Sequence, residues 1–159
     1  MKRSVSILIA VLATGGIALG QGMSPADVSY DEYGAVEVSL SGQPGNAEAG
    51  EKIMTTRGKG NCIACHQVDA LAEYPFHGEV GPPLNGVADR YTEADLRGIV
   101  ANAKMTFEGS IMPAFFKDSG YIRPGIAYTG KAAGPGDLFP ILTAQEIEDV
   151  VAYLLTLKE

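Results

Sequence analysis

The sequence has few of the residues that mark several classes of protein. Its 159 residues include two cysteines, two histidines and no tryptophan, and acidic side chains outnumber basic ones by 19 to 12. Two cysteines cannot build a disulfide framework. A formal charge of −7 disfavours a nucleic-acid partner, because it repels phosphate backbones. No segment alternates polar and apolar residues for long enough to indicate a sheet, yet the apolar content of 46% excludes wholesale disorder.

Glycine and proline are abundant, with 20 and nine copies, and indicate long loops between a few helices. A first helix is predicted over about 47–57, with Asn46 as its N-cap and Gly50 inside it. Capping boxes at Thr92 and Thr143 start two more helices. Each is followed by apolar residues at helical spacing: Leu96, Ile99, Val100 and Ala103 in one, and Ile147, Val150, Val151, Leu154 and Leu155 in the other. The predicted class is all-α, with three main helices and long Gly/Pro-rich loops.

The first 45 residues are predicted to lie outside the folded domain. Residues 1–20 have the positive head, the apolar run and the small residues at the cleavage site that are typical of a secretory signal peptide. The apolar run is short and interrupted by Gly15 and Gly16, which favours cleavage over an uncleaved membrane anchor. Residues 21–45 are rich in glycine and proline, and they predict an extended arm that lies on the domain or on a partner, without a helix of its own.

The motif Cys62-Ile63-Ala64-Cys65-His66 is a C-x-x-C-H, the attachment signature of a c-type haem. On one helical turn, the two thiols can each form a thioether with a porphyrin vinyl group, and His66 can then ligate the iron. A thioredoxin-type cysteine pair would need a βαβ context. A zinc site would need four ligands, and only His77 remains besides these three. The motif therefore predicts one covalently attached haem.

The second axial ligand has several candidates. Met54, in the helix before the motif, is expected in the core, and His77 is expected at the surface. Met112 is favoured because Pro113 holds it in an extended conformation that can present the sulfur to the iron. Met105 lies in the same stretch after the second helix and is the runner-up, because it fits equally well as the last packing residue of that helix. Histidine–methionine ligation leaves no open coordination position, which favours electron transfer over gas binding or peroxidase chemistry.

Two further segments bear on the site. The turn at Gly81-Pro82-Pro83 can offer a backbone carbonyl to the Nδ1–H of His66, although a plain surface turn explains it equally well. Residues 104–131 are locally basic in an otherwise acidic chain. This stretch suits the docking of a partner at the haem edge. Alternatively, its basic side chains are ordinary solvated groups or pair with the haem propionates.

Together these segments resemble the class I cytochromes c and, more narrowly, SoxX, the monohaem c-type cytochrome subunit of the SoxAX complex of bacterial thiosulfate oxidation. The resemblance covers 46–159 with gaps, which we take as the cytochrome c domain. It depends on four segments: 57–66, 81–84, 111–116 and 141–151. Residues 117–140 form a longer loop than the family pattern leads us to expect.

The resemblance also implies roles for individual residues. It implies His66 and Met112 as the axial ligands, and the carbonyl of one of the two prolines as the partner of His66. It further implies that Gly50 packs against the Tyr153 region of the last helix.

The function that the resemblance implies is electron relay in the periplasm. SoxA catalyses the conjugation of thiosulfate to the SoxYZ carrier cysteine, and the chain would pass the electrons on to a small cytochrome acceptor. It would form a heterodimer with SoxA and would not be catalytic alone, nor would it bind nucleic acid or, after signal cleavage, a membrane. The alternatives are a freely diffusing periplasmic electron carrier without an enzyme partner and a haem sensor with a displaceable methionine.

Overall fold

The computed structural model describes residues 22–126, 130–134 and 136–159, so the predicted signal peptide 1–20 lies outside the described residues. The described part has no strand and four α-helices: α1 (Ala47–Thr55), α2 (Val87–Arg90), α3 (Glu93–Asn102) and α4 (Ala144–Leu154). Short 3-10 turns lie at Pro25–Asp27, Cys62–Ala64, Asp69–Leu71 and Ala103–Met105. The predicted all-α class and its three main helices are confirmed, and α2 is a single turn that the sequence did not predict. No helix of the described part is long and apolar enough to cross a membrane.

The helices begin at the residues that can satisfy their first N–H groups. Asn46 Oδ1 accepts from the Ala49 N–H at 2.9 Å, which caps α1. The reciprocal capping boxes at Thr92 and Thr143 are both formed. Helix α1 ends at Thr55, two residues earlier than predicted, because Thr56 is extended and its hydroxyl binds the Lys52 carbonyl at 2.6 Å.

The closest helix crossing lies between α1 and α4, at Gly50. A Cβ at this position would clash with the Asp149 carbonyl oxygen and would lie 3.0 Å from the Tyr153 Cβ. Only glycine allows the two backbones to approach this far. The crossing also brings α1 against the buried stripe of α4, where Ile147, Val150 and Val151 are at most 1% exposed.

The arm packs against the domain and contributes to its core. Val36 and Leu40 are each 1% exposed and belong to the main hydrophobic cluster. Beneath them, Arg97 of α3 pairs with Glu148 of α4, with 3.0 Å between Arg97 Nε and Glu148 Oε1. Arg97 donates to the Val36 carbonyl at 2.8 Å, and Glu148 accepts from the Leu40 N–H at 2.7 Å. The buried ion pair therefore fastens the arm to both helices.

The Gly/Pro-rich loop between Phe116 and α4 lies mainly at the surface. Its described part contains an isolated antiparallel bridge between Gly125 and Ala132. Near its start, the Lys117 ammonium lies 4.9 Å from the centre of the Tyr121 ring. A lysine of the predicted basic stretch is therefore engaged in a local cation–π contact.

Candidate haem site

The C-x-x-C-H motif forms a tight helical turn. Asn61 begins it in the left-handed region, with φ of 46°. The N–H groups of Cys65 and His66 both donate to the Cys62 carbonyl, at 3.1 and 2.9 Å. Both cysteines are free and half-buried, and together with His66 they line one large cavity. The sequence spacing thus places two thiols and an imidazole on the same wall.

Burial raises the pKa of the Cys62 thiol to about 12. A redox-active cysteine of a C-x-x-C pair works as a thiolate and has a lowered pKa. This environment therefore disfavours thioredoxin-type disulfide exchange.

His66 is oriented by the turn that follows it. Its Nδ1 lies 2.7 Å from the Pro82 carbonyl oxygen. A carbonyl oxygen only accepts, so Nδ1 carries the proton and the lone pair of Nε2 is left for a metal. The Pro83 carbonyl has a different partner, because it accepts from Arg90 Nη2 at 3.2 Å. Of the two prolines considered from the sequence, Pro82 alone contacts the imidazole through its carbonyl.

The turn at 81–85 is fastened to the segment that carries the motif. The Gly81 N–H donates to the Cys65 carbonyl at 2.8 Å, and the Leu84 N–H donates to the Gln67 carbonyl at 2.9 Å. Arg90 of α2 braces the far side of the turn, where its Nη1 donates to the Asn85 carbonyl at 2.7 Å. No motif or spacing in the sequence indicates this role for Arg90.

Gly81 also packs directly against the imidazole. A Cβ at this position would clash with the His66 ring and would lie 2.7 Å from its Nδ1. Glycine is therefore required for the backbone to pass this close to the ring.

The cavity has a volume of about 1210 Å³, which is larger than the roughly 300–1,000 Å³ of ordinary small-molecule pockets. Helices α3 and α4 and the chain after α3 supply much of its apolar lining: Leu96, Ile99, Val100, Ala103, Phe107, Phe115, Leu142, Val150 and Leu154. These side chains suit a large, mostly apolar cofactor.

The candidates for the second axial ligand lie in different surroundings. Met112 is half-buried and lines the cavity, next to Pro113. Met105 is 49% exposed and does not belong to the described lining. Met54, in the helix before the motif, also lines the cavity. Its side chain is completely buried and belongs to the hydrophobic core of the domain.

The expectation of a surface histidine at position 77 is wrong. His77 is half-buried, and its Nδ1 accepts from the Val68 N–H at 3.1 Å. Its Nε2 lies 3.1 Å from the Leu71 carbonyl and therefore donates to it. Both ring nitrogens hold the loop after the motif, which leaves neither for a metal.

The donor set and the cavity fit a haem. One apolar cavity is lined by the three kinds of group that a haem c needs. They are two thiols for covalent attachment, an imidazole whose Nε2 lone pair is free, and a methionine thioether. Nitrogen and sulfur donors of these types are the axial ligands found in cytochromes c.

Residues 47–158 match the cytochrome c family, so the chain belongs to that family. Its haem is haem c, and its role is electron transfer. Within the family it is a SoxX-type cytochrome, similar to a chain in the crystal structure of SoxXA from P. pantotrophus. The two are 61% identical with a TM-score of 0.82, over 87% of this chain and 99% of that chain. No curated protein matches the chain significantly.

Proposed function

We propose that Cys62 and Cys65 hold the haem through thioethers and that His66 and Met112 are the axial ligands of its iron. The observation that carries this proposal is the shared cavity, which an oriented imidazole and a methionine side chain both line. When bound, the haem supplies a one-electron redox centre. The chain's own residues orient the imidazole through Pro82 and surround the centre with apolar side chains.

The ligand set supports electron relay over catalysis at the iron. With a histidine and a methionine as ligands, both axial positions are taken by the protein, and no position is open to a substrate or a gas. Hydrogen bonding of His66 Nδ1 to Pro82 makes the imidazole a stronger donor. The chain therefore serves as a relay and is not catalytic alone.

The partner that we propose is a SoxA-type cytochrome subunit, bound as a heterodimer. The solved structure of SoxXA supports this assembly. At the mouth of the cavity, Phe107, Ile111 and Ile141 line the pocket while remaining 44%, 80% and 43% exposed. Exposed apolar side chains grouped in this way are typical of an interaction surface.

In the proposed reaction, electrons enter from the SoxA-catalysed conjugation of thiosulfate to the SoxYZ carrier cysteine. They leave through this chain to a small cytochrome acceptor. The signal peptide 1–20 would direct the chain to the periplasm and be removed there, leaving the arm 21–45 and the cytochrome c domain 46–159.

The ligand assignment is tested with Met112→Ala and Met105→Ala, followed by the weak near-infrared methionine–iron(III) band of the oxidised protein. Met112→Ala is expected to abolish the band and Met105→Ala to leave it. The reverse result would reassign the ligand to Met105.

The partner is tested by size-exclusion chromatography of a native extract, with haem staining and identification of the proteins that co-migrate. Co-migration with a second haem protein of the SoxA type is expected. Migration at the mass of a monomer would favour the freely diffusing carrier.

Carbon monoxide binding to the reduced native protein would favour a sensor with a displaceable methionine.

A further inference from the structure

The loop that carries Met112 has few connections to the rest of the domain. Between Glu108 and Ala114, two of its described hydrogen bonds are local, from the Ser110 N–H to the Phe107 carbonyl and from the Met112 N–H to Ser110 Oγ. The one described hydrogen bond that joins this segment to a helical element comes from Lys104, whose Nζ lies 2.6 Å from the Met112 carbonyl oxygen.

The lysine end of this bond is fixed. Lys104 belongs to the 3-10 turn Ala103–Met105 that continues α3. Asn102 Oδ1 accepts from the Lys104 N–H at 3.3 Å, and Ala103 is only 1% exposed. The ammonium group therefore extends from the end of α3 to the segment that carries Met112.

Met112 is held at two points, its side chain and its carbonyl group. The Met112 side chain lines the cavity, while its carbonyl accepts from Lys104. Pro113 has no N–H and keeps Met112 out of the helical region. The bond to Lys104 consequently restrains the peptide that presents the sulfur.

We propose that Lys104 is a positioning residue for Met112, which it holds against the cavity through the Met112 carbonyl. The inference rests on the proposed function, in which Met112 is an axial ligand. Without this bond the loop leaves its ligating position more often, because a hydrogen bond that favours one conformation shifts the population toward it.

The experiment measures how readily an added ligand displaces the methionine. Wild type, Lys104→Ala, Lys104→Arg and Lys117→Ala are prepared with haem, and the dissociation constant of the oxidised proteins for imidazole is measured at constant pH and ionic strength. Lys117→Ala is the matched control, because it removes the same charge from the same basic stretch, and Lys117 contacts Tyr121 and Gly120 in a different loop.

Lys104→Ala is expected to bind imidazole about fivefold more tightly than wild type, because displacement becomes easier when the closed loop loses one hydrogen bond. Lys104→Arg keeps a donor at this position and is expected to stay within about twofold of wild type. Amide hydrogen exchange gives a second measurement, in which residues 108–112 exchange faster in Lys104→Ala and remain unchanged in Lys117→Ala.

Equal imidazole affinities of Lys104→Ala and wild type would overturn the proposal, and so would an equal effect of Lys117→Ala. The Met112→Ala variant separates this failure from failure of the ligand assignment. If Met112→Ala keeps the near-infrared band, the ligand assignment is wrong. If Met112→Ala loses the band while Lys104→Ala behaves as wild type, only the role of Lys104 is wrong.

Discussion

His66 shows how residues outside a motif complete it. The C-x-x-C-H spacing predicts attachment and ligation, because those roles depend on positions along a single turn. The orientation of the imidazole depends on Pro82, and the turn containing Pro82 depends on Arg90. Arg90 and Lys104 act on backbone carbonyls, which every residue has, and such contacts leave no pattern in a sequence.

Substitution of Gly81 tests the orientation of the imidazole. In Gly81→Ala, the added methyl group meets the His66 ring, so the ring or the turn must move and the 2.7 Å contact to Pro82 is weakened. A weaker contact makes the imidazole a poorer donor to the oxidised iron. We expect the reduction potential to rise, measured by protein-film voltammetry.

The control is Gly58→Ala, because a Cβ at Gly58 has no neighbour within 4 Å. Its reduction potential should equal that of wild type. A Gly81→Ala protein with the same potential as this control would contradict the role given to Gly81.

At the scale of elements, the sequence predicted those helices that have both a cap and a long apolar face. Helices α3 and α4 begin at the predicted capping boxes. Helix α2 escaped prediction because its four residues are too few to show a periodic pattern. The resemblance implied that Gly50 packs against the Tyr153 region of the last helix, and the structure shows this contact along the Asp149–Tyr153 stretch of α4.

The crossing is tested by Gly50→Ala. The new Cβ would overlap a backbone carbonyl that cannot rotate away, so the two helices must separate. We expect the free energy of unfolding to fall by about 2 kcal/mol, the usual cost of overpacking a core. Denaturant unfolding of the haem-containing protein measures this change. Gly58→Ala again serves as the control, and a loss no larger than in Gly58→Ala would exclude a tight crossing at Gly50.

For the whole molecule, the arm has a role in the core that the sequence did not indicate. The sequence predicted a segment lying on the domain or on a partner, because glycine and proline leave only short apolar stretches in it. In the structure, Val36 and Leu40 are core residues, and the buried pair of Arg97 and Glu148 holds their backbone. Neither member of that pair is near the arm in sequence, so only the folded chain reveals the connection.

Glu148→Gln tests how the arm is held. The change leaves the buried guanidinium of Arg97 without its buried partner, which typically costs about 3 kcal/mol. We expect a loss of that size in the free energy of unfolding, and faster cleavage within 22–45 by a dilute protease. Glu93→Gln is the control, since Glu93 is the exposed partner of the same arginine and exposed pairs contribute little. Equal losses in both variants would contradict the assigned role of Glu148.

Helix α4 also determines when the fold can close as the chain emerges from export. The peptide N–H of Leu40 binds Glu148, and that of Asn46 binds Asp149, across 108 and 103 residues of chain. A nascent chain that has emerged only as far as the thiols at 62 and 65 therefore has no partner for either group. Those thiols consequently stay accessible to whatever attaches the porphyrin until the final helix has also emerged on the periplasmic side.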